Sequence, residues 1–152
     1  MASGSSSGQL FASIGLVLFF IAVAALFVAA EIALISLRES QVKHMQGRRG
    51  AKVAALIKNP NRFLAAAQVG VTFCGFLSAA LGSEKLGTQF VVPALERWGM
   101  SHSSAVITSL LSVTTVIAYI SLVFGELVPK RLAIYRTEPI ALASAGIIDL
   151  LA

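Results

Sequence analysis

Three long runs of apolar residues, separated by more polar segments, dominate the sequence. They cover residues 10–37, 63–82 and 103–124. Because about 20 apolar residues in a helix are enough to cross a bilayer, each run is predicted to be a membrane-spanning helix. A fourth apolar stretch, residues 140–152, is shorter and contains Asp149. It predicts an interfacial helix, with a truncated fourth span as the alternative.

The composition agrees with an all-α integral membrane protein that has three transmembrane helices. Hydrophobic residues make up 57% of the 152 residues and charged residues 12%, against about 25% charged in a typical soluble domain. The mean hydropathy is +0.84. The net charge of +5 comes from basic residues that are not interleaved with aromatic ones, so no nucleic-acid partner is expected. Cys74 is the single cysteine, which excludes an intrachain disulfide.

The charges of the connecting segments predict an orientation in the membrane. The segment between the first two runs holds one acidic residue, Glu39, and a series of basic ones: Arg38, Lys43, Arg48, Arg49, Lys52, Lys58 and Arg62. The third run is followed by Lys130, Arg131 and Arg136. Because cytoplasmic loops are enriched in lysine and arginine, these segments are predicted to be cytoplasmic and the N-terminus to lie outside.

The first basic segment is predicted to be partly helical, with breaks at Gly47 and Gly50. Asn61 is a plausible N-cap of the second span. Residues 1–8, "MASGSSSG", are small and polar and are expected to be a flexible tail or a tag remnant. His44 and His102 are expected to be ordinary surface residues.

Each predicted span has one small or polar face. In the third span, several polar residues fall within about 40° of one line on a helix that turns about 100° per residue: Thr108, Ser112, Thr115, Tyr119 and Glu126. The second span aligns Gln68, Thr72, Gly75, Ala79 and Gly82, and the first aligns Ala22, Ala29, Ala33 and Ser36. These faces are predicted to face one another. Close packing of small residues, with hydrogen bonds between hydroxyls of neighbouring helices, explains most of these residues individually.

Glu126, in the stretch "GELVPKRLA" of residues 125–133, needs a separate explanation. A carboxylate near the membrane costs several kcal/mol unless it is protonated, paired or bound to a cation. An ion pair with Lys130, four residues on, is one explanation. Pro129 argues against it, because proline tends to break a helix. A broken helix also frees carbonyl oxygens for a hard cation, so a cation site at the helix end is the alternative.

Glu31 lies about half a turn from the Ser36 face of an ideal helix. Its side chain is therefore expected to pair with a basic residue of the cytoplasmic segment, or to lie at a subunit interface, rather than to bind an ion.

Three stretches in this order resemble the membrane domain of the CorC/cyclin-M (CNNM) family of magnesium transporters, also called hemolysin-like proteins. They are "FVAAEIALISL", "NPNRFLAAAQVGVT" and "GELVPKRLA", and the resemblance covers about residues 10–150. It implies a homodimer in the plasma membrane, with three spans per subunit, an outer N-terminus and a cytoplasmic C-terminus. It also implies a cytoplasmic belt of juxtamembrane helices and Mg²⁺ export, with Na⁺ as the proposed counter-ion.

The resemblance further implies a set of ligands. Ser36 and Glu126 match the family motif, together with a backbone oxygen near Gly125. The second span of the family often supplies an asparagine, but Val71 and Gly75 stand at such positions here, so Thr72 or a carbonyl near Gly70 is expected to substitute. The expected metal site thus comprises Ser36, Gly70, Thr72, Gly75, Gly125 and Glu126, and structural or gating roles are expected for Glu31, Pro129 and Lys130.

Members of this family normally continue into a pair of CBS domains that bind adenine nucleotides. Residues 9–152 are therefore interpreted as the isolated transmembrane domain, and ATP is expected to bind only to the missing domains. The alternative to a transporter is a non-transporting membrane scaffold or an ion-sensing domain. It would be favoured by an ion-pair partner that neutralises Glu126. An enzyme is not expected, because the sequence offers no pair of nucleophile and base.

Overall fold

The computed structural model describes the backbone of residues 3–151 and the side chains of residues 7–146. Within that part of the chain the regular structure is helical, and no strand occurs. Eight α-helices and two π-helical segments follow one another: α1 Ser3–Ser36, α2 Glu39–His44, α3 Gly47–Lys58, α4 Pro60–Gly82, π1 Ser83–Val91, α5 Val92–Arg97, α6 His102–Ile120, π2 Ser121–Leu127, α7 Val128–Tyr135 and α8 Thr137–Leu151.

Three helices among the described residues are long and apolar enough to cross a membrane, which confirms the predicted fold class. They extend over Ser7–Ser36, Pro60–Arg97 and His102–Tyr135. The second and third are longer than predicted, because π1 and α5 continue α4, and π2 and α7 continue α6. Pro93 and Pro129 each lie in the first turn of an α-helix that follows a π-helical segment, where a missing N–H is tolerated.

The ends of the first and second spans differ from the prediction. α1 begins at Ser3, so residues 3–8 extend the first helix where a flexible tail was predicted; no proline interrupts this stretch. Met1 and Ala2 lie outside the described residues. α4 begins at Pro60, a favoured first position for proline. Asn61 is therefore inside the helix, and the prediction that it caps α4 is wrong.

The chain divides into two compact units. The first comprises residues 1–21 and 74–122, and the second comprises residues 22–73 and 123–152. In the first unit, α6 runs back along π1 and α5 after the turn at residues 98–101, where Gly99 has a φ of +91°. A Cβ at Gly87 would lie 2.9 Å from Oγ of Ser109, so this glycine allows π1 to approach α6 closely.

The polar face predicted for the third span does not face its neighbours in the first unit. α6 instead buries Ala105, Ser109 and Ile117, while the predicted residues Thr108, Ser112, Thr115 and Tyr119 are exposed in the single chain. The hydroxyls of Ser112 and Thr115 each donate to a carbonyl of their own helix at 2.7 Å. Such local hydrogen bonds satisfy the side chains, so nothing forces them to turn inward. Similarly, α4 buries Ala67, Cys74 and Ser78 while Gln68 and Thr72 are exposed.

The second unit contains the juxtamembrane helices that were predicted for the basic segment. α2 packs on α3, and α3 and α7 pack on α8. The buried side of α3 consists of Gly50, Val53 and Leu56, and α8 contributes Ala141 and Ala145, both fully buried. The predicted break at Gly50 is wrong, because α3 runs through this residue. A Cβ there would collide with the backbone of Met45, so the glycine lets α3 pack closely against the link from α2. The break lies just before Gly47, whose φ is +88°.

Candidate cation site

Most of the residues expected to bind a cation belong to one compact unit. Ser36, Gly70, Thr72, Gly125 and Glu126 all lie in the second unit, as do Glu31, Pro129 and Lys130. Gly75 is a member of the first unit. It is half-buried, and a Cβ built on it would meet nothing within 4 Å. His44 and His102 are exposed, as expected, and His102 Nδ1 lies 2.6 Å from Oε1 of Glu96.

Ser36 is exposed and is the last residue of α1. The last four carbonyls of an α-helix have no intrahelical donor, and the C-terminus of the helix carries a partial negative charge. The last turn of α1 contains no basic residue that would offset this charge. The end of α1 therefore offers a hydroxyl and several carbonyl oxygens, which suit a hard cation, with Arg38 two residues further along the chain.

Glu126 and Lys130 form an ion pair across one turn of the third helix. Nζ of Lys130 lies 2.6 Å from Oε1 of Glu126, and the two side chains are 40% and 41% exposed. The prediction that Pro129 breaks the helix and separates them is wrong. π2 passes directly into α7, and Pro129 lies in the first turn of α7. Residues four apart on a continuous helix lie on the same face, so the Glu126–Lys130 ion pair forms as their spacing allows.

The backbone around Gly125 still offers an oxygen, although the helix does not break. A residue at position 129 would donate its N–H to Gly125 in an α-turn, or to Phe124 in a π-turn. Pro129 has no N–H, so a carbonyl of this turn lacks its usual donor. Gly125 and Pro129 are both buried. The proline therefore removes one backbone donor from a turn through which the helix continues.

Gly70 packs against α1, whereas Thr72 lies on an exposed side of α4. A Cβ at Gly70 would lie 2.8 Å from the ring of Phe27, so the glycine allows α1 and α4 to touch at this point. Gly70 was expected to contribute only a carbonyl, and its packing role against Phe27 has no signature in the local sequence. Thr72 is exposed, and its hydroxyl is available to a ligand on that side of α4.

The candidate ligands named above all offer hard oxygen atoms. In the described part of the chain, no three residues among His, Cys, Asp and Glu lie together as a metal cluster. A carboxylate, hydroxyls and carbonyls match the preference of Mg²⁺ or Ca²⁺ for oxygen, whereas Zn²⁺ or Cu⁺ would favour histidine or cysteine.

Comparison with known proteins gives a consistent result. The model of the cyclin M transmembrane N-terminal domain (CNNM) matches residues 15–152. The chain is 35% identical over 152 residues to UPF0053 protein sll0260 of Synechocystis sp., covering 92% of this chain and 33% of that protein. It is 31% identical over 129 residues to UPF0053 protein YhdT of Bacillus subtilis, covering 83% of this chain and 28% of that protein.

A more distant relative has a functional name. The chain is 26% identical over 144 residues to the polyamine export protein of Haemophilus influenzae, covering 93% of this chain and 33% of that protein. The chain thus spans about a third of the length of these curated relatives. With three apolar helices and a family match over most of its length, this multi-pass membrane protein belongs to the CNNM family, which is associated with the transport of Mg²⁺ and other divalent cations.

Proposed function

We propose that this chain is a membrane domain that moves Mg²⁺ across the bilayer, with Glu126 as the charged ligand. The observation that carries the proposal is the position of this half-exposed carboxylate. It is next to Gly125, where Pro129 removes a backbone donor. A charge inside a membrane span is retained mainly where it serves ions or pairing, and here it lies in a turn where proline removes one backbone donor.

The proposed ligands are the Glu126 carboxylate, a carbonyl of the π2–α7 junction, and the Ser36 and Thr72 hydroxyls. Mg²⁺ favours six oxygen ligands in an octahedron and keeps several water molecules. The half-exposed carboxylate of Glu126 and the exposed side chains of Ser36 and Thr72 are compatible with a partly hydrated ion. The proposed site therefore does not require a closed cage.

The direction of transport and the assembly are further parts of the proposal. The basic connecting segments support an outer N-terminus and a cytoplasmic C-terminus in the plasma membrane. We infer Mg²⁺ export from the cytoplasm with Na⁺ as counter-ion, carried out by a homodimer. In the whole protein, ATP binding would belong to cytoplasmic CBS domains. These features rest on the family resemblance and on the charges of the sequence.

Two alternatives are each favoured by the Glu126–Lys130 pair. A carboxylate that is already neutralised fits a scaffold or an ion sensor that moves nothing. A carboxylate that accepts a hydrogen bond from a lysine ammonium at 2.6 Å is also suited to bind the ammonium groups of a polyamine cargo. Polyamine export is the function that the name of one relative gives for that relative.

Titration of the purified chain in lipid nanodiscs with Mg²⁺, Ca²⁺, Na⁺ and spermidine separates these candidates. Glu126→Gln should weaken Mg²⁺ binding about tenfold or more, because a charged ligand becomes neutral while its size is kept. Glu138→Gln is the matched control, since Glu138 is an exposed carboxylate of the same unit. Equal Mg²⁺ affinity in the wild type and in Glu126→Gln would show that the proposed site is wrong. Spermidine binding without Mg²⁺ binding would favour the polyamine alternative.

A further inference from the structure

We propose that the Lys130 ammonium is a tethered counter-ion of Glu126, which an incoming cation must displace. This inference rests on the proposed function, because it concerns the same carboxylate. It assigns Lys130 the role of setting the affinity of the site: the lysine competes with the transported ion for Glu126 and does not itself bind that ion.

The geometry brings the two cations to the same carboxylate. Nζ of Lys130 lies 2.6 Å from Oε1 of Glu126. Mg²⁺ binds a carboxylate oxygen at about 2.0–2.1 Å. An ammonium that remained on the same oxygen would then be a close neighbour of a divalent ion, and like charges at such distances repel strongly. Binding of Mg²⁺ and release of Lys130 are therefore one exchange.

The surroundings of Lys130 permit this exchange. Its side chain is 40% exposed, and a lysine ammonium sits on a flexible four-carbon stem. Lysine near a helix end can extend toward the membrane surface while its methylenes stay on apolar residues. Val128 and Leu132, on either side in the sequence, are exposed and apolar. The ammonium can thus leave the carboxylate without unfolding any part of α7.

The pair also explains how the empty site remains stable. An unpaired carboxylate in a membrane span is costly, and Lys130 neutralises it from the next helical turn. Arg131 is exposed on the same helix, and no side-chain hydrogen bond or ion pair of this residue is found among the described residues. The two neighbouring cations therefore have different roles, and Arg131 provides a matched control.

The test measures Mg²⁺ affinity in nanodiscs for Lys130→Met, Lys130→Arg and Arg131→Met. Removing the competitor should raise the Mg²⁺ affinity of Lys130→Met about three- to fivefold, the upper end of what a partly exposed ion pair contributes. Lys130→Arg keeps the competing charge and should stay within about twofold of the wild type. Arg131→Met should shift the affinity less than Lys130→Met does. A merely structural role of Lys130 would lower the affinity or leave it unchanged, not raise it.

A second measurement follows Lys130 directly. An amine-reactive reagent should modify Lys130 faster when Mg²⁺ is present, with the exposed Lys43 as an internal reference. In the Glu126→Gln variant, Lys130 should be modified at the faster rate even without Mg²⁺, because its counter-ion is gone.

The outcomes separate the two proposals. If Glu126→Gln loses Mg²⁺ binding but Lys130→Met binds no more tightly than the wild type, this inference is wrong and the proposed function stands. The inference is also wrong if Mg²⁺ binds to the protein but does not change the rate at which Lys130 is modified. If neither the wild type nor Lys130→Met binds Mg²⁺, both proposals are wrong.

Discussion

The ring of Phe27 on α1 lies where a side chain at position 70 of α4 would have to be. A Cβ built on Gly70 would come within 2.8 Å of this ring, and Phe27 is buried. The second unit thus contains a contact between two spans that tolerates only glycine without rearrangement. The contact links Gly70, which the sequence analysis treated as a source of a carbonyl, to the packing of α1.

Gly70→Val should therefore destabilise the protein. Overfilling a packed position costs about 1–3 kcal/mol, and the buried Phe27 ring has little room to move. Thermal unfolding in detergent, followed by circular dichroism, should show a lower midpoint than for the wild type. Gly75→Val is the matched control, because a Cβ there meets nothing within 4 Å. Similar midpoints for the two variants would contradict this account of Gly70.

Pro129→Ala should weaken Mg²⁺ binding although it improves the helix. Alanine restores the N–H that proline lacks, so the donor-deficient carbonyl near Gly125 gains a hydrogen bond and becomes a poorer ligand. The expected loss of affinity is about three- to tenfold, equivalent to the roughly 0.5–1.5 kcal/mol of one hydrogen bond. Titration calorimetry in nanodiscs measures it, with the unfolding temperature as a control for the fold. Unchanged or tighter Mg²⁺ binding would show that this carbonyl is not a ligand.

Ser36→Ala should weaken Mg²⁺ binding less than Glu126→Gln does. The substitution removes a neutral ligand, whereas the carbonyls at the end of α1 remain in place. An expected loss of about threefold corresponds to one hydrogen-bond-scale interaction. Ser40→Ala is a suitable control, because Ser40 is an exposed serine in α2. An equal effect of both serine variants would argue against a ligand role for Ser36.

Ser83 and Thr114 should be energetically coupled. Their hydroxyl oxygens are 2.7 Å apart and join π1 to α6 within the first unit. A double-mutant cycle with Ser83→Ala and Thr114→Val should give a coupling of about 0.6 kcal/mol, the average for interhelical hydrogen bonds in membranes. Unfolding of the four proteins under the same detergent conditions measures the coupling. Strictly additive effects would contradict a stabilising hydrogen bond.

The orientation can be read from labelling of single cysteines in a Cys74→Ala background. Trp98 is 84% exposed in the turn that precedes α6, and Lys43 is exposed in α2. With an outer N-terminus, Trp98→Cys should react with a membrane-impermeant thiol reagent from outside intact cells. Lys43→Cys should react only in inverted vesicles. The reverse pattern would place the basic segments outside and overturn the proposed orientation.

The three spans and the site's acidic residue could be predicted from the sequence because they depend on local features. Long apolar runs specify the spans, and the spacing of Glu126 and Lys130 brings them together wherever the helix is continuous. A break at Pro129 is the expectation for an α-helix, in which proline removes a backbone hydrogen bond. A π-helical turn that accommodates the proline has no local residue signature. The buried side of α6 was missed for another reason: it depends on Gly87, which is distant in the sequence and lies in π1.

The ion pair of Glu126 and Lys130 has an electrical consequence. In the proposed exchange, the empty domain carries no net charge at this position, and the loaded domain carries the two positive charges of Mg²⁺, because the lysine remains in the protein. Each turnover then moves two charges through the field, which costs about 2.3 kcal/mol per charge per 100 mV when the movement opposes the membrane potential. Outward movement of Mg²⁺ against an inside-negative potential would be electrogenic and would require a driving ion. The charge moved in the single step that carries loaded Mg²⁺, measured as a pre-steady-state current in the wild type and in Lys130→Met, would show how much of the compensating charge the chain itself supplies.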